Sequence, residues 1–152
     1  TNILTLFLQL LELLGYHRRQ QLLGLDKRYL SPYDVRLDQD NYTMVQPDLV
    51  IVCQEYDHIN NIRFEGAPDM VIEILSPSTR SKDMMLKLSK YYSAGVREYW
   101  IVDPKNQAVI VYYFEEEDYI PRTYTFEDKI PVGISKGFCL IDFAQIKKNI
   151  YN

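Results

Sequence analysis

The run DMVIEIL (69–75) constrains the chain more than any other stretch. A strand with one wet face alternates apolar and polar residues, whereas this run is apolar almost throughout. Such continuity means burial on both faces of a sheet, and so a layer of structure on either side of it. One carboxylate, Glu73, stands inside the run, where a charge is expensive without a partner or a metal.

The neighbouring sequence supplies the layers. YDVRL (33–37) alternates like a strand, DQDN (38–41) carries turn chemistry, and MVQPDLVIVC (44–53) reads as a second strand in which Pro47 marks a start or an edge. Residues 54–66 read as a polar loop. SPSTRSKD (76–83) leads into a helix capped by Ser81 or Asp83 and ending at Ala94, with Gly95 at the left-handed stop. REYWIVD (97–103) is a further strand, closed by the turn DPKN (103–106). QAVIVYYF (107–114) and YIPRTYTF (119–126) form an antiparallel pair, residues 130–143 a short hairpin and 144–150 a last helix. At the front, the leucine-rich residues 2–14 predict a helix buried on more than one side, stopped by Gly15, and residues 16–30 are basic and irregular. With 152 residues, the chain suits one domain with a mixed sheet in an α/β or α+β layer.

Charge and residue counts narrow the chemistry. The net charge of −4 excludes a uniformly basic surface for nucleic acid, although Arg18, Arg19, Lys27 and Arg28 cluster early and Arg80, Lys82, Lys87 and Lys90 in the middle. Glu115–Asp118 form an acidic run. Cys53 and Cys139 lie in apolar stretches without paired spacing, so they read as small core residues of a reducing compartment. With two histidines, His17 and His58, any metal is expected on carboxylates. TNILTLFLQLLELLGY (1–16) lacks a basic leader region and a small-residue cleavage pattern, and its apolar part is shorter than the roughly 20 residues that span a bilayer. A helix in the core or at a subunit interface is expected there.

Two strand carboxylates stand out, Asp48 after Pro47 and Glu73. Side chains alternate along a strand, so Asp69, Val71, Glu73 and Leu75 share one face, as do Asp48, Val50 and Val52. If the two strands pair, at a spacing of about 5 Å, Asp48 and Glu73 come within reach of one cation. Two readings fit. Oxygen ligands suit a hard cation such as Mg²⁺, bound through one or two carboxylates; or Glu73 meets a lysine or arginine in a structural ion pair and Asp48 sits in a turn. On a helix beginning near residue 84, Met84, Met85, Leu88, Tyr91 and Tyr92 make the apolar face. Lys87 borders it, able to lean over the core, and Lys90 faces solvent.

This ordered set resembles the PD-(D/E)XK signature of the restriction-endonuclease-like superfamily, and more closely its Uma-two branch of endonuclease-like proteins. The residues carrying the resemblance are QPDLVIV (46–52), GAPDMVIEILSPSTRSKD (66–83), Lys87, Tyr91 and GVREYWIVDP (95–104), within a match over about residues 31–143. It implies an αβββαβ core with an added C-terminal antiparallel β extension, and a Mg²⁺-dependent endonuclease acting on DNA, with Mn²⁺ as substitute ion. Asp48 matches the aspartate of PD and Glu73 the second metal ligand. Leu75 stands where the superfamily usually has its lysine; in this branch the lysine lies on the next helix, which fits Lys87. Ser76, Ser78, Arg80 and Lys82 border the site as candidate phosphate contacts, with plain turn residues the alternative, and preferred, reading of the two serines. Asp69, on the same face as Glu73, is an outer ligand or only a strand start. The family carries a further glutamate ahead of its first long helix. The sequence begins at that helix, so one domain, 1–152, is expected without that segment. A cytoplasmic homodimer paired through residues 2–14 completes the expectation. The alternative is a nuclease-fold protein that binds a partner or nucleic acid without cleaving it.

Overall fold

The computed structural model describes residues 27–30, 34–37, 44–53, 63–78, 81–137 and 139–151. The expected N-terminal helix at 2–14 and its dimer surface lie outside the described residues. Six strands form the main sheet in the order β1 (Lys27–Leu30), β4 (Leu49–Val52), β6 (Met70–Ile74), β7 (Glu98–Asp103), β8 (Ala108–Tyr113), β9 (Arg122–Thr125). Every contact between neighbours is antiparallel except β6 with β7, which is parallel. Parallel strands need a crossover, and α1 (Ser81–Ala94) provides it.

The both-face burial expected from DMVIEIL is present: all five residues of β6 are buried. On one face Leu49, Ile51, Met70, Ile72, Trp100, Val109 and Val111 pack against the C-terminal segment. That segment comprises β10 (Lys129–Pro131) paired with β11 (Leu140–Asp142), a 3₁₀ turn at Gly133–Ser135, and α2 (Phe143–Tyr151). On the other face Val50, Val52, Val71, Tyr99 and Ile101 meet α1 and a small second sheet. Fully burying a Leu, Ile or Val contributes roughly 1.5–3 kcal/mol each. The two clusters thus clamp β6 from both sides and make it the rigid centre of the domain.

Some boundaries differ from the sequence reading. MVQPDLVIVC does not run as one strand. Met44–Val45 is β3 and pairs with β2 (Asp34–Arg36) in the small sheet, which β5 (Arg63–Glu65) completes inside the expected loop. Pro47 has no N–H to give a ladder, so the chain leaves one sheet there and enters the other at Leu49. Lys27–Leu30, read as irregular, becomes β1 because it covers the free edge of β4. The apolar face of α1 is narrower than expected: Tyr91 is buried and Met84 and Leu88 are half-buried, while Met85 and Tyr92 are exposed. These three inward positions fall at the i, i+4, i+7 spacing of a single stripe. Gly95 closes the helix at φ 93°, with its N–H donating to Tyr92 and the Val96 N–H to Tyr91, the double bond of a Schellman stop.

Candidate functional site

The break at Pro47 places Asp48 immediately before β4. Antiparallel pairing sets Leu49 opposite Ile72 and Val50 opposite Val71. One step further, the same register carries Asp48 opposite Glu73. Asp48 reaches across: its Oδ2 accepts the Ile74 N–H at 2.6 Å. The strand therefore holds the aspartate by a backbone group, a partner with almost no freedom to move.

Glu73, 7 % exposed, points toward α1. Its Oε1 accepts from Lys87 Nζ at 2.9 Å and from the Tyr91 hydroxyl at 2.7 Å. Lys87 and Tyr91 are one helical turn apart, so α1 delivers both donors to the same oxygen. The donors differ in freedom: the Lys87 side chain is 37 % exposed, and Tyr91 is 0 % exposed with its ring 4.9 Å from that of Tyr99. Lys90, three residues on, is exposed. Burial pushes the Glu73 carboxyl above its ordinary range against the pull of Lys87 and Tyr91, and the charge of Asp48 adds to the push. Asp48 is raised as well, by burial first, with the Ile74 N–H and Lys87 opposing. Burial and the charge of Glu73 hold the Tyr91 phenol far above its ordinary value, so it remains a donor. Asp48 Oδ1 and Glu73 Oε2 accept no hydrogen bond among the described residues.

The family profile described as "Putative restriction endonuclease", Uma2, matches residues 2–140. The chain belongs to the Uma2 family. The fold is similar to that of a crystal structure described as a "putative nuclease belonging to DUF820 from Anabaena variabilis", with a TM-score of 0.71 and 19 % identity over 93 % of this chain and 79 % of that one. At that identity the likeness establishes a shared fold. No curated protein matches the sequence.

In this Uma2 chain the donor set fits a hard cation. Two raised, partly dehydrated carboxylates lie opposite each other in the register, each with one oxygen held and the other accepting no hydrogen bond among the described residues. Mg²⁺ takes one or two protein carboxylates and keeps water elsewhere, which matches the pair. Among the described residues, no group of three or more acidic, His or Cys side chains is arranged to hold a metal ion. The ion pair of Glu73 with Lys87, the other reading of this carboxylate, is present at 2.9 Å.

The remaining candidates sit as follows. Ser76 and Ser78 bond to each other, Oγ to Oγ, at 2.8 Å, within the turn after β6. Arg80 lies outside the described residues. Lys82 is in the first turn of α1 and its side chain is likewise outside them. Asp69 starts β6 as a structural anchor: Oδ1 accepts from Arg97 at 3.0 Å and Oδ2 from the Cys53 N–H at 2.7 Å. Tyr91, which the sequence places on the apolar face of the helix, also donates to the site, and its position one turn after Lys87 is the signal that pairs them. Sequence reading also passed over Glu98, 1 % exposed on the far side of the sheet. It accepts from Trp100 Nε1 at 2.6 Å and from the N–H groups of Gly133 and Ile134 at 3.1 and 2.8 Å. A carboxylate in the apolar run EYWIV was the same signal that singled out Glu73. No helix among the described residues is long and apolar enough to cross a membrane.

Proposed function

We propose that this chain is a Mg²⁺-dependent endonuclease, with Mn²⁺ as substitute, that hydrolyses phosphodiester bonds in DNA. The observation that carries the reading is the facing pair Asp48 and Glu73, each with one carboxylate oxygen that accepts no hydrogen bond among the described residues. A divalent cation bound by Asp48 and Glu73 would supply Lewis-acid chemistry, polarising a phosphate oxygen and lowering the pKa of water. Asp48, at the entry to β4, and Glu73, on β6, would hold it. Lys87, on a flexible stem at the border of solvent, swings from Glu73 to the phosphate and neutralises charge that builds there, or orients the attacking water. Ser76, Ser78, Arg80 and Lys82 contact the flanking phosphates. Cutting both strands calls for two such sites, and residues 2–14 are the proposed pairing surface of a cytoplasmic homodimer of single-domain chains.

The second reading is a nuclease-fold protein that binds a partner or nucleic acid without cleavage. The net charge of −4 and a set of only two carboxylates among the described residues favour it. Incubating plasmid DNA with the protein and Mn²⁺, with Glu73→Ala as control, separates the two. Nicking by the parent and none by the variant supports the nuclease; intact plasmid with both removes it.

A further inference from the structure

Oxygen Oε1 of Glu73 has two donors where one would satisfy it, and they are unlike. Lys87 is a charged group on a long stem, 37 % exposed. Tyr91 is fully buried, packed against Tyr99, with a hydroxyl that donates to Oε1. If Lys87 alone held Glu73, its departure toward a phosphate would leave the carboxylate free to rotate and to offer both oxygens. Tyr91 prevents this. The Ile74 N–H does the same for Asp48 by holding Oδ2.

We propose that Tyr91 is the positioning residue of the site: it keeps Glu73 a one-oxygen ligand, releases Lys87 for the substrate, and thereby selects small octahedral cations over Ca²⁺. The assignment rests on the cation-dependent reading above. Mg²⁺ and Mn²⁺ accept one oxygen from each carboxylate and fill their octahedra with water. Ca²⁺ gains most from a carboxylate that can turn and bind through both oxygens. Holding Oε1 on a buried phenol withholds that mode.

Calorimetric titration of the DNA-free protein with Mn²⁺ and with Ca²⁺ tests the assignment without any cleavage. Tyr91→Phe keeps the ring in its contact with Tyr99 and removes only the donor. The parent should bind Mn²⁺ more tightly than Ca²⁺, and Tyr91→Phe should reduce that preference by about tenfold, the low end of what an orienting partner of a metal ligand contributes. Lys87→Met, which removes a charge repelling both ions alike, should tighten both and leave their ratio within about twofold. A parent that binds Mn²⁺ together with an unchanged ratio in Tyr91→Phe overturns the role of Tyr91 alone. A shift of the ratio in Lys87→Met as large as in Tyr91→Phe also overturns it, since the lysine would then be the lock. A parent that binds neither ion overturns the proposed function and this assignment with it.

Discussion

The sheet buries a glutamate on each face, and the two are treated in opposite ways. Glu98, under the C-terminal segment, has both oxygens in use, with Trp100 and the Gly133 N–H on one and the Ile134 N–H on the other. Its donors are an indole and two backbone groups, none able to leave without moving the fold. Glu73, under α1, has both donors on one oxygen, a second carboxylate opposite, and a lysine half in water. Burial raises both carboxyls. What separates them is what the surroundings leave undone. Glu98 is saturated, whereas among the described residues Glu73 keeps one oxygen without a donor beside the charge of Asp48, the arrangement on which the proposed function rests.

The sharpest way to break the comparison is to delete the open side. Asp48→Ala or Glu73→Ala should lower Mn²⁺-supported plasmid cleavage by at least about a thousandfold, because several kcal/mol of charge stabilisation leave with the ion. Each should also abolish calorimetric Mn²⁺ binding. A variant that still nicks at a tenth of the parent rate would place the chemistry elsewhere.

Melting curves in EDTA set the two glutamates against each other. Glu98→Ala strands three donors, those of Trp100 and Ile134 buried and that of Gly133 partly so, at about 1 kcal/mol each, the low end for an unpaired buried group. It should drop the melting temperature by roughly 6–12 °C, at about 2–4 °C per kcal/mol for a chain of this size. Glu73→Gln should move it the other way, by about 2–4 °C for each kcal/mol of repulsion removed. The amide oxygen still accepts from Tyr91 and Lys87, and the charge opposing Asp48 is gone. Lys87 is too exposed to be stranded, so its pairing is screened by water. A fall in both variants would make Glu73 a second structural carboxylate and favour the ion-pair reading. Saturating Mg²⁺ should stabilise the parent and leave Glu73→Gln nearly unmoved.

The two lysines of α1 sharpen the same contrast within one helix. Lys87→Ala should slow the single-turnover rate by about 100-fold, the scale of one positioned charge or proton-transfer group. Lys90→Ala, whose side chain is exposed, should leave that rate within about twofold of the parent. Equal rates for the two variants would remove Lys87 from the chemistry.

Legibility followed the same division. The periodicity of 69–75 and the proline at 47 made the central strand and the place of Asp48 readable, because both are local rules of the backbone. The lean of Lys87 toward Glu73 was readable from helical spacing. The small sheet was not, since a two-residue strand such as Met44–Val45 carries no period and exists only through its partners. The exposure of Met85 and Tyr92 was not readable either: a wheel gives the direction of a face, and only the width of the sheet beneath decides how much of it is covered. The partners of Glu98, though not the residue itself, were hidden for a related reason. Its donors include backbone groups of Gly133 and Ile134, distant in sequence, and backbone groups leave no mark in the residue pattern.

The smallest expected effect is a pH dependence, and it bears on whether saturation alone suffices to hold a charge. Burial raises the Glu98 carboxyl above its ordinary 4.5, outweighing the three donors that favour the ionised form. The protonated acid is therefore favoured in the folded chain relative to the unfolded one. That contribution is full below 4.5 and is lost as pH rises through the folded value. Glu98→Gln carries no proton to lose and keeps an acceptor for Trp100 and Gly133, so it cancels the titration of every other group, Asp48 and Glu73 included. The melting temperature of the parent minus that of Glu98→Gln, both in EDTA, should fall as pH goes from 4.5 toward 7 and then level off. Glu98 is the cleaner of the two glutamates for this measurement, because no cation competes with its proton. A difference that rises over the same interval would mean that the three hydrogen bonds outweigh burial. The contrast between the faces would then widen, with one carboxylate stabilised as an anion by the fold and the other waiting for a cation to do so.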